Sequence, residues 1–298
     1  MKTTVLVPTL VVCGAAFLLA EDALAGQTGQ ALPGAAGPRA PVLAAPAPAP
    51  AALTPLDKAQ SLYYNGRYEL SAAQAAAVRD ADPNNLAAYE IRTAALLFQV
   101  KRLIGEPKDK DKAVKACEPC ADLIAAFTED IAAGRALAHA RLTADPADLE
   151  AQFFLGKLDL NYIWLHLGPL GRRTGWTEYR EARRTLDGLL QTHPDHLRAR
   201  VARAWIDYIV DTRVSFMFRW VLGGGDKGKA LRVVREAAAA DADFFTAAEA
   251  KFALWEMLAR EKQFAEAADV ARGLLRDFPE NRELVRFVGE HGTSDTTP

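Results

Sequence analysis

The chain has 298 residues, half of them apolar, and a formal net charge of −2 at pH 7. This length and apolar content suffice for one sizeable core or for one solenoid of stacked helix pairs. The nearly neutral charge balance argues against a strongly basic protein of the kind that binds nucleic acid, so we expect no nucleic-acid partner.

The N-terminal stretch has the three parts of an export signal. Lys2 supplies the positive charge, residues 5–20 are apolar, and an Ala-Leu-Ala cleavage site ends at Ala25. The sequence therefore predicts a signal peptide over residues 1–25 and a periplasmic or otherwise exported protein of a bacterial envelope. Two alternatives stay open: an uncleaved membrane anchor, and lipidation at Cys13, although the residue before it is not small.

Residues 26–52 consist mainly of Ala, Pro and Gly. Such a composition cannot form a packed core and favours extended, polyproline-type conformations. We interpret this segment as a disordered linker that associates the folded part with the envelope; a disordered tail without a role is the alternative. The folded part is predicted over residues 53–288, followed by a polar, disordered tail over residues 289–298.

Helical patterns fill the first half of the predicted folded part. Two helices over residues 55–65 and 68–80 flank an Asn-Gly turn signal. A third helix follows its cap residue Asn84 and extends to about residue 104. The alternating charges of Lys108–Lys112 then predict a solvated loop.

The second half continues in the same way. The helix predicted over residues 147–167 is apolar on nearly all sides, which indicates a position in the middle of the structure. A further helix runs from Leu197 to about residue 221, turns at residues 223–225 and returns through residue 240. The last hairpin covers residues 247–282. No segment alternates with a period of two, so we predict no sheet.

One pattern in the last hairpin recurs upstream. Its second helix opens with the aromatic residue Phe264, has the small residue Ala267 three positions later, and ends before Pro279. The corresponding closing residues of four weaker upstream copies are Pro83, Pro146, Pro194 and Ala242. A single hairpin of this size cannot bury its apolar face alone and needs stacked neighbours.

This phased pattern resembles the tetratricopeptide repeat (TPR) family, although the Trp and Leu-Gly typical of the first helix of each repeat are mostly missing. The resemblance implies an all-α fold, a TPR-like solenoid of about five antiparallel helix pairs. It also implies a non-catalytic scaffold whose first helices form a concave groove, where this family usually binds peptides.

The pair Cys117-x-x-Cys120 is the sharpest chemical signal, because removal of the signal peptide would leave these two as the chain's remaining cysteines. An exported chain with two cysteines predicts one disulfide. Pro119 suits the first turn of a helix and would place Cys117 near its N-cap, where a thiolate is favoured, so redox chemistry is an alternative. Two cysteines alone do not complete a tetrahedral metal site, and we predict no metal and no cofactor.

Other motifs predict turns rather than chemistry. Gly223–Lys229 is similar to the front of a phosphate-binding loop, but Ala230 stands where Ser or Thr should hold magnesium. A turn is expected there, with a weak anion site at the following helix N-terminus as an alternative. His193–His196 is expected to be an inter-helix turn capped by Asp195. No serine lies in a G-x-S-x-G motif, and we predict no enzyme and no catalytic residues.

Polar and aromatic residues inside the two central first helices are the candidate binding residues. Arg203 and Asp207 share one helix face through their i, i+4 spacing. Two alternatives are open for this pair, a structural ion pair between repeats and a ligand groove. The predicted partner-binding residues are Asp159, Asn161, Trp164, Arg203, Trp205, Asp207 and Tyr208.

The predicted function is a non-catalytic periplasmic TPR-like scaffold that binds a protein or peptide partner in its concave groove. The leading alternative is a solute-binding accessory subunit of an envelope transporter, in which the polar groove takes a small ligand. A third hypothesis, an envelope redox protein, depends only on the Cys117–Cys120 pair.

Overall fold

The computed structural model describes residues 53–172, 174–213 and 224–292. The predicted signal peptide, the linker and most of the C-terminal tail lie outside these ranges. Within them the chain forms twelve α-helices and no strand, which confirms the all-α prediction.

The helices and their bounds follow the predicted order closely. In chain order they are α1 (Pro55–Tyr64), α2 (Tyr68–Ala81), α3 (Leu86–Ile104), α4 (Lys110–Ala116), α5 (Cys120–Ala144), α6 (Leu149–Leu167), α7 (Trp176–Thr192), α8 (Leu197–Arg213), α9 (Lys227–Ala239), α10 (Phe244–Arg260), α11 (Phe264–Asp277) and α12 (Arg282–His291). None of these helices is both long and apolar enough to cross a membrane.

Short polar side chains begin many of the helices. At the start of α1 the side chains of Thr54 and Asp57 each accept from the other's backbone N–H, which is a capping box. Single Asn or Asp side-chain caps begin six more helices: Asn85, Asp109, Asp148, Asp226, Asp243 and Asn281. These caps satisfy backbone N–H groups that a helix start otherwise leaves without partners, so local sequence fixes where the helices begin.

Each helix packs against the next one along the chain, from α1 to α12. Helices further apart also meet: α3 packs on α1, α5 and α6, and α8 packs on α10. The short helix α4 lies on α3 and α5.

The small residues of the repeated pattern lie at close helix crossings. A Cβ atom on Gly134 of α5 would lie 2.9 Å from Leu158 of α6 and 3.1 Å from Tyr89 of α3, so a larger residue there would require these neighbours to shift. Ala182 and Ala267, at the corresponding positions of α7 and α11, are fully buried. The phased small residues are therefore packing residues, because they let neighbouring helices approach closely.

Three element predictions are wrong at their edges. The cap of α3 is Asn85 rather than Asn84, because the Asn85 side chain accepts from the backbone N–H of Ala88 at 3.0 Å. Lys110 and Lys112, placed in a loop from their alternating charges, belong to α4, because Asp109 caps this helix by accepting from the backbone N–H of Lys112 at 2.9 Å. Residues 289–291, assigned to the tail, belong to α12. The ring of His291 stacks on Phe264 of α11 with centroids 4.3 Å apart, which extends α12 to that residue.

The first described turn touches the last helices of the chain. Asn65 Oδ1 accepts from the backbone N–H of Glu280 at 3.1 Å, and Asn281 Nδ2 donates to the carbonyl of Tyr64 at 2.7 Å. The Tyr64 ring stacks on Phe252 with centroids 5.0 Å apart. We call this set, Tyr64 and Asn65 with Phe252, Glu280 and Asn281, the closing contact, since it joins residues more than 180 positions apart in sequence.

Candidate functional site

Charged side chains of the four helices α3, α6, α8 and α10 contact one another. Lys157 Nζ of α6 lies 2.7 Å from Glu249 Oε1 of α10 and 3.4 Å from Glu90 Oε1 of α3. Arg198 Nε of α8 lies 2.6 Å from Glu249 Oε2. We call Glu90, Lys157, Arg198 and Glu249 the inner cluster; it contains two cations and two carboxylates.

The inner cluster is deep but not sealed from solvent. The exposed fractions of its side chains are 8% for Glu90, 12% for Glu249, 19% for Lys157 and 24% for Arg198. The four side chains are therefore partly hydrated rather than enclosed in a dry core.

The electrostatics of the inner cluster favour the charged forms of Glu249 and Lys157. Burial acts to raise the pKa of Glu249, but Arg198 and Lys157 overcome it and hold that pKa at about 2. Burial acts to lower the pKa of Lys157, and the carboxylates of Glu249 and Glu90 raise it above its usual value instead. A buried ion pair is stable only when its partners are this close and well matched.

Aromatic rings form the walls beside these charges. The guanidinium of Arg198 lies 4.7 Å from the ring centroid of Phe153, within the range of a cation–π interaction. Burial, followed by the negative charge of Glu249, raises the pKa of the Tyr64 hydroxyl on α1. Charged groups between aromatic walls provide both the polar anchors and the apolar surface of a ligand site.

A second group, of two aromatic and two charged side chains, lies further along α6, α8 and α10 in the direction of their C-termini. Trp164 of α6 and Trp205 of α8 meet edge to face with centroids 6.5 Å apart. Arg260 of α10 lies over Trp205 at 5.8 Å and pairs with Glu256 at 2.5 Å. We call these four residues, Trp164, Trp205, Glu256 and Arg260, the aromatic patch.

Asp159 lies on a different side of α6 from the inner cluster. It is fully buried, and Arg135 Nε of α5 lies 2.8 Å from its Oδ1. Neither carboxylate oxygen accepts a hydrogen bond from any described residue, and Arg135 is shared with Glu178 and Glu181 of α7. Burial raises the pKa of Asp159 to about 8. Asp159 therefore belongs to a structural contact among α5, α6 and α7 and not to the inner cluster.

Asn161 is 7% exposed and joins α6 to α3. Its Nδ2 donates to the backbone carbonyl of Glu90 at 3.2 Å and to Thr93 Oγ1 at 3.0 Å. Asn161 therefore supports the helix turn that carries Glu90, one of the residues of the inner cluster.

Arg203 pairs with Asp207 at 2.6 Å, as their i, i+4 spacing predicts, and also with Asp187 of α7 at 2.6 Å. These contacts join α7 to α8. Tyr208 is 2% exposed and donates to Glu261 Oε1 at 2.9 Å. Of the seven predicted binding residues, Trp164 and Trp205 are the two aromatic side chains left half-buried rather than buried or ion-paired.

Cys117 and Cys120 are joined by a disulfide, with Cα atoms 5.3 Å apart. Helix α5 starts at Cys120 and its N-cap is Pro119, so Cys117 precedes the cap and ends α4 instead. Cys120 is fully buried. No group of three or more His, Cys, Asp or Glu side chains suited to a metal ion occurs in the described ranges.

The remaining motifs lie at helix starts. Gly223 is outside the described residues, but Asp226 caps α9 by accepting from the backbone N–H of Lys229 at 2.8 Å. Asp211 accepts from the backbone N–H of Lys227 at 2.9 Å, so two carboxylates already occupy the predicted anion site. The cap of α8 is His196 rather than Asp195, since its Nδ1 accepts from the backbone N–H of Ala199 at 3.1 Å.

Sequence reasoning missed the inner cluster. Lys157 was visible as a charge inside an otherwise apolar segment, which is a weak signal of a buried partner. Glu90, Arg198 and Glu249 gave no signal, because their partners lie on distant helices and no local spacing relates them.

Comparisons of the chain with protein-family models, with curated proteins and with solved structures gave no match.

Proposed function

We propose that the helices form a TPR-like solenoid of five antiparallel pairs. The pairs are α1 with α2, α3 with α5, α6 with α7, α8 with α9, and α10 with α11. Support comes from the packing order, in which each second helix lies against its own first helix and the first helix of the next pair. In this arrangement α4 is an insertion and α12 covers the end of the array.

We further propose that the protein is a non-catalytic, exported scaffold of the periplasm that binds a protein or peptide partner with the first helices. The observation that supports this proposal is the aromatic patch, where Trp164 and Trp205 are half-buried beside Arg260. Tryptophan and arginine together are the residues that most often anchor a partner. The linker over residues 26–52 would tether the scaffold to the envelope.

Site-specific photo-crosslinking in the native envelope tests this proposal. A photoreactive phenylalanine analogue at position 205 should crosslink to a protein partner. The matched control is position 176, because Trp176 on α7 is 44% exposed but lies outside the aromatic patch. Equal crosslinking from both positions, or none from position 205, would contradict the proposal.

A second candidate function is a solute-binding accessory subunit of an envelope transporter, and the inner cluster favours it. Lys157 reaches from α6 to Glu90 of α3 and to Glu249 of α10, so charged groups of both signs lie close enough together to contact one small molecule. A few convergent polar groups of this kind are typical of small-molecule sites. Native mass spectrometry of protein purified from the envelope should then show an adduct of a few hundred daltons, and bare protein alone would contradict this candidate. The fully buried Cys120 gives the redox hypothesis no support.

A further inference from the structure

We propose that the inner cluster binds a small zwitterion, with the ligand's carboxylate at Arg198 and its ammonium at Glu90. This inference rests on the second candidate function, because it names the class of solute that the same cluster would bind. Each of the two residues has hydrogen-bonding capacity that the protein does not use, and the two capacities have opposite charge.

Arg198 uses only part of its guanidinium. Its Nε donates to Glu249 Oε2 at 2.6 Å, while its two Nη groups make no hydrogen bond to any described residue. The Phe153 ring, 4.7 Å away, holds the guanidinium plane without satisfying its N–H groups. A guanidinium with free Nη groups is matched to a carboxylate, which accepts two parallel hydrogen bonds from it.

Glu90 is the less satisfied of the two carboxylates. Its nearest cation is Lys157 at 3.4 Å, whereas Glu249 has Lys157 at 2.7 Å and Arg198 at 2.6 Å. The Glu90 carboxylate accepts no hydrogen bond from the part of the chain that the structure describes. Asn161 fixes the backbone of Glu90, so the carboxylate is held in place for an incoming donor.

The charge balance selects against ligands with a net charge. The cluster is already neutral, with two cations and two carboxylates at 8–24% exposure. A lone anion or cation would leave an uncompensated charge in a region of low solvent access, which is costly. A zwitterion satisfies Arg198 and Glu90 together and leaves the region neutral.

Isothermal titration calorimetry with a series of zwitterions of increasing length tests the proposal. The probes are glycine, β-alanine, 4-aminobutyrate and 6-aminohexanoate, which differ in the spacing of their two charges. At least one should bind the full-length mature protein, and its N-acetyl and amide derivatives, which each lack one charge, should bind at least tenfold more weakly. Failure of all four probes, or equal binding of the singly charged derivatives, would overturn the proposal.

Two variants assign the charges to residues. Glu90→Gln should remove the preference for the free ammonium, and Arg198→Gln should remove the preference for the free carboxylate. The matched control is Arg200→Gln on the same helix, because Arg200 pairs with the exposed Glu236 and should leave binding unchanged. Circular dichroism checks folding, and if a variant fails to fold, the wild-type probe series still decides the outcome.

The identity of the ligand that co-purifies with the protein from the envelope tests this inference separately from the solute-binding function. A zwitterionic adduct in native mass spectrometry supports both. An adduct of another class, lost in Arg198→Gln and kept in Arg200→Gln, keeps the solute-binding function and overturns the zwitterion. Protein without any adduct and without affinity for the four probes overturns both.

Discussion

Lys157 and Asp159 are two residues apart on α6, yet their surroundings differ. The surroundings of Lys157 stabilise ionised side chains, whereas those of Asp159 stabilise the neutral carboxylic acid. Residues two apart point to different sides of a helix. Lys157 enters the inner cluster, where two cations meet two carboxylates and the pKa of Glu249 is held at about 2. Asp159 enters the space between α5 and α7, where Arg135 is shared with two more carboxylates and the pKa of Asp159 rises to about 8.

The comparison indicates that nearby charges, together with depth, set the ionisation of Glu249 and Asp159. Two cations lie close to Glu249 and hold its pKa low despite burial. On the other side of α6, Arg135 also pairs with Glu178 and Glu181, and the fully buried Asp159 keeps its proton. Three substitutions would break or sharpen this contrast.

The largest effect is expected for Glu249→Gln. It removes the carboxylate that both Lys157 and Arg198 contact, and stranding buried charges of this kind costs about 3–5 kcal/mol of the free energy of unfolding. Urea unfolding followed by circular dichroism at pH 7 measures it. The matched control is Glu266→Gln, whose pair with Arg235 is exposed, and its loss should stay within about 1 kcal/mol. Equal, small losses in both variants would mean that the inner cluster is solvated like the surface.

Asp159→Asn should have a smaller effect of opposite sign. The folded pKa of about 8 lies above the ~3.9 of an unfolded Asp, so the folded state holds this proton more tightly. Below about pH 4, Asp159 is protonated in both states and does not lower the free energy of unfolding. As pH rises from about 4 to about 8, Asp159 lowers the free energy of unfolding progressively.

The asparagine variant lacks this penalty. It should unfold with nearly the wild-type free energy at pH 4 and be more stable than wild type by about 1–3 kcal/mol at pH 8.5. Urea unfolding at the two pH values measures the difference. A variant that loses stability at pH 8.5 would show that Asp159 is ionised and supports Arg135 as a charged partner.

The smallest effect is expected for Arg203→Ala. Arg203 pairs with Asp187 and Asp207, which are 41% and 20% exposed and remain hydrated when the guanidinium is removed. The loss should be about 1 kcal/mol, and crosslinking through position 205 should persist. A loss of about 3–5 kcal/mol would mean that this pair contributes as much to the free energy of unfolding as the inner cluster does. A weaker crosslink at unchanged stability would return Arg203 to the partner-binding residues.

The sequence predicted the helices well because their signals are local. Caps such as Asp148, small residues such as Gly134 and apolar periodicity all act within one or two turns, and the bounds of most helices follow from them. The start of α4 was missed because alternating charge resembles a loop, while a single Asp109 side chain suffices to begin a helix.

The candidate site could not be predicted in the same way. Arg203 and Asp207 share a helix, and their contact was foreseen from spacing alone. Lys157 and Glu249 are 92 residues apart, and their contact depends on how several helices pack between them. A charge pattern within one helix does not encode that packing, so a single sequence can flag Lys157 as unusual without naming its partners.

The closing contact has a consequence for how the protein would come apart. A linear repeat array loosens first at its terminal repeats, because each end repeat has a single neighbour. Here Asn65 and Asn281 tie the end of α1 to the start of α12, so neither of these two described helices frays without breaking contacts at the other. Unfolding should therefore be closer to all-or-none than in an open array, with the amides of α1 exchanging about as slowly as those of α6.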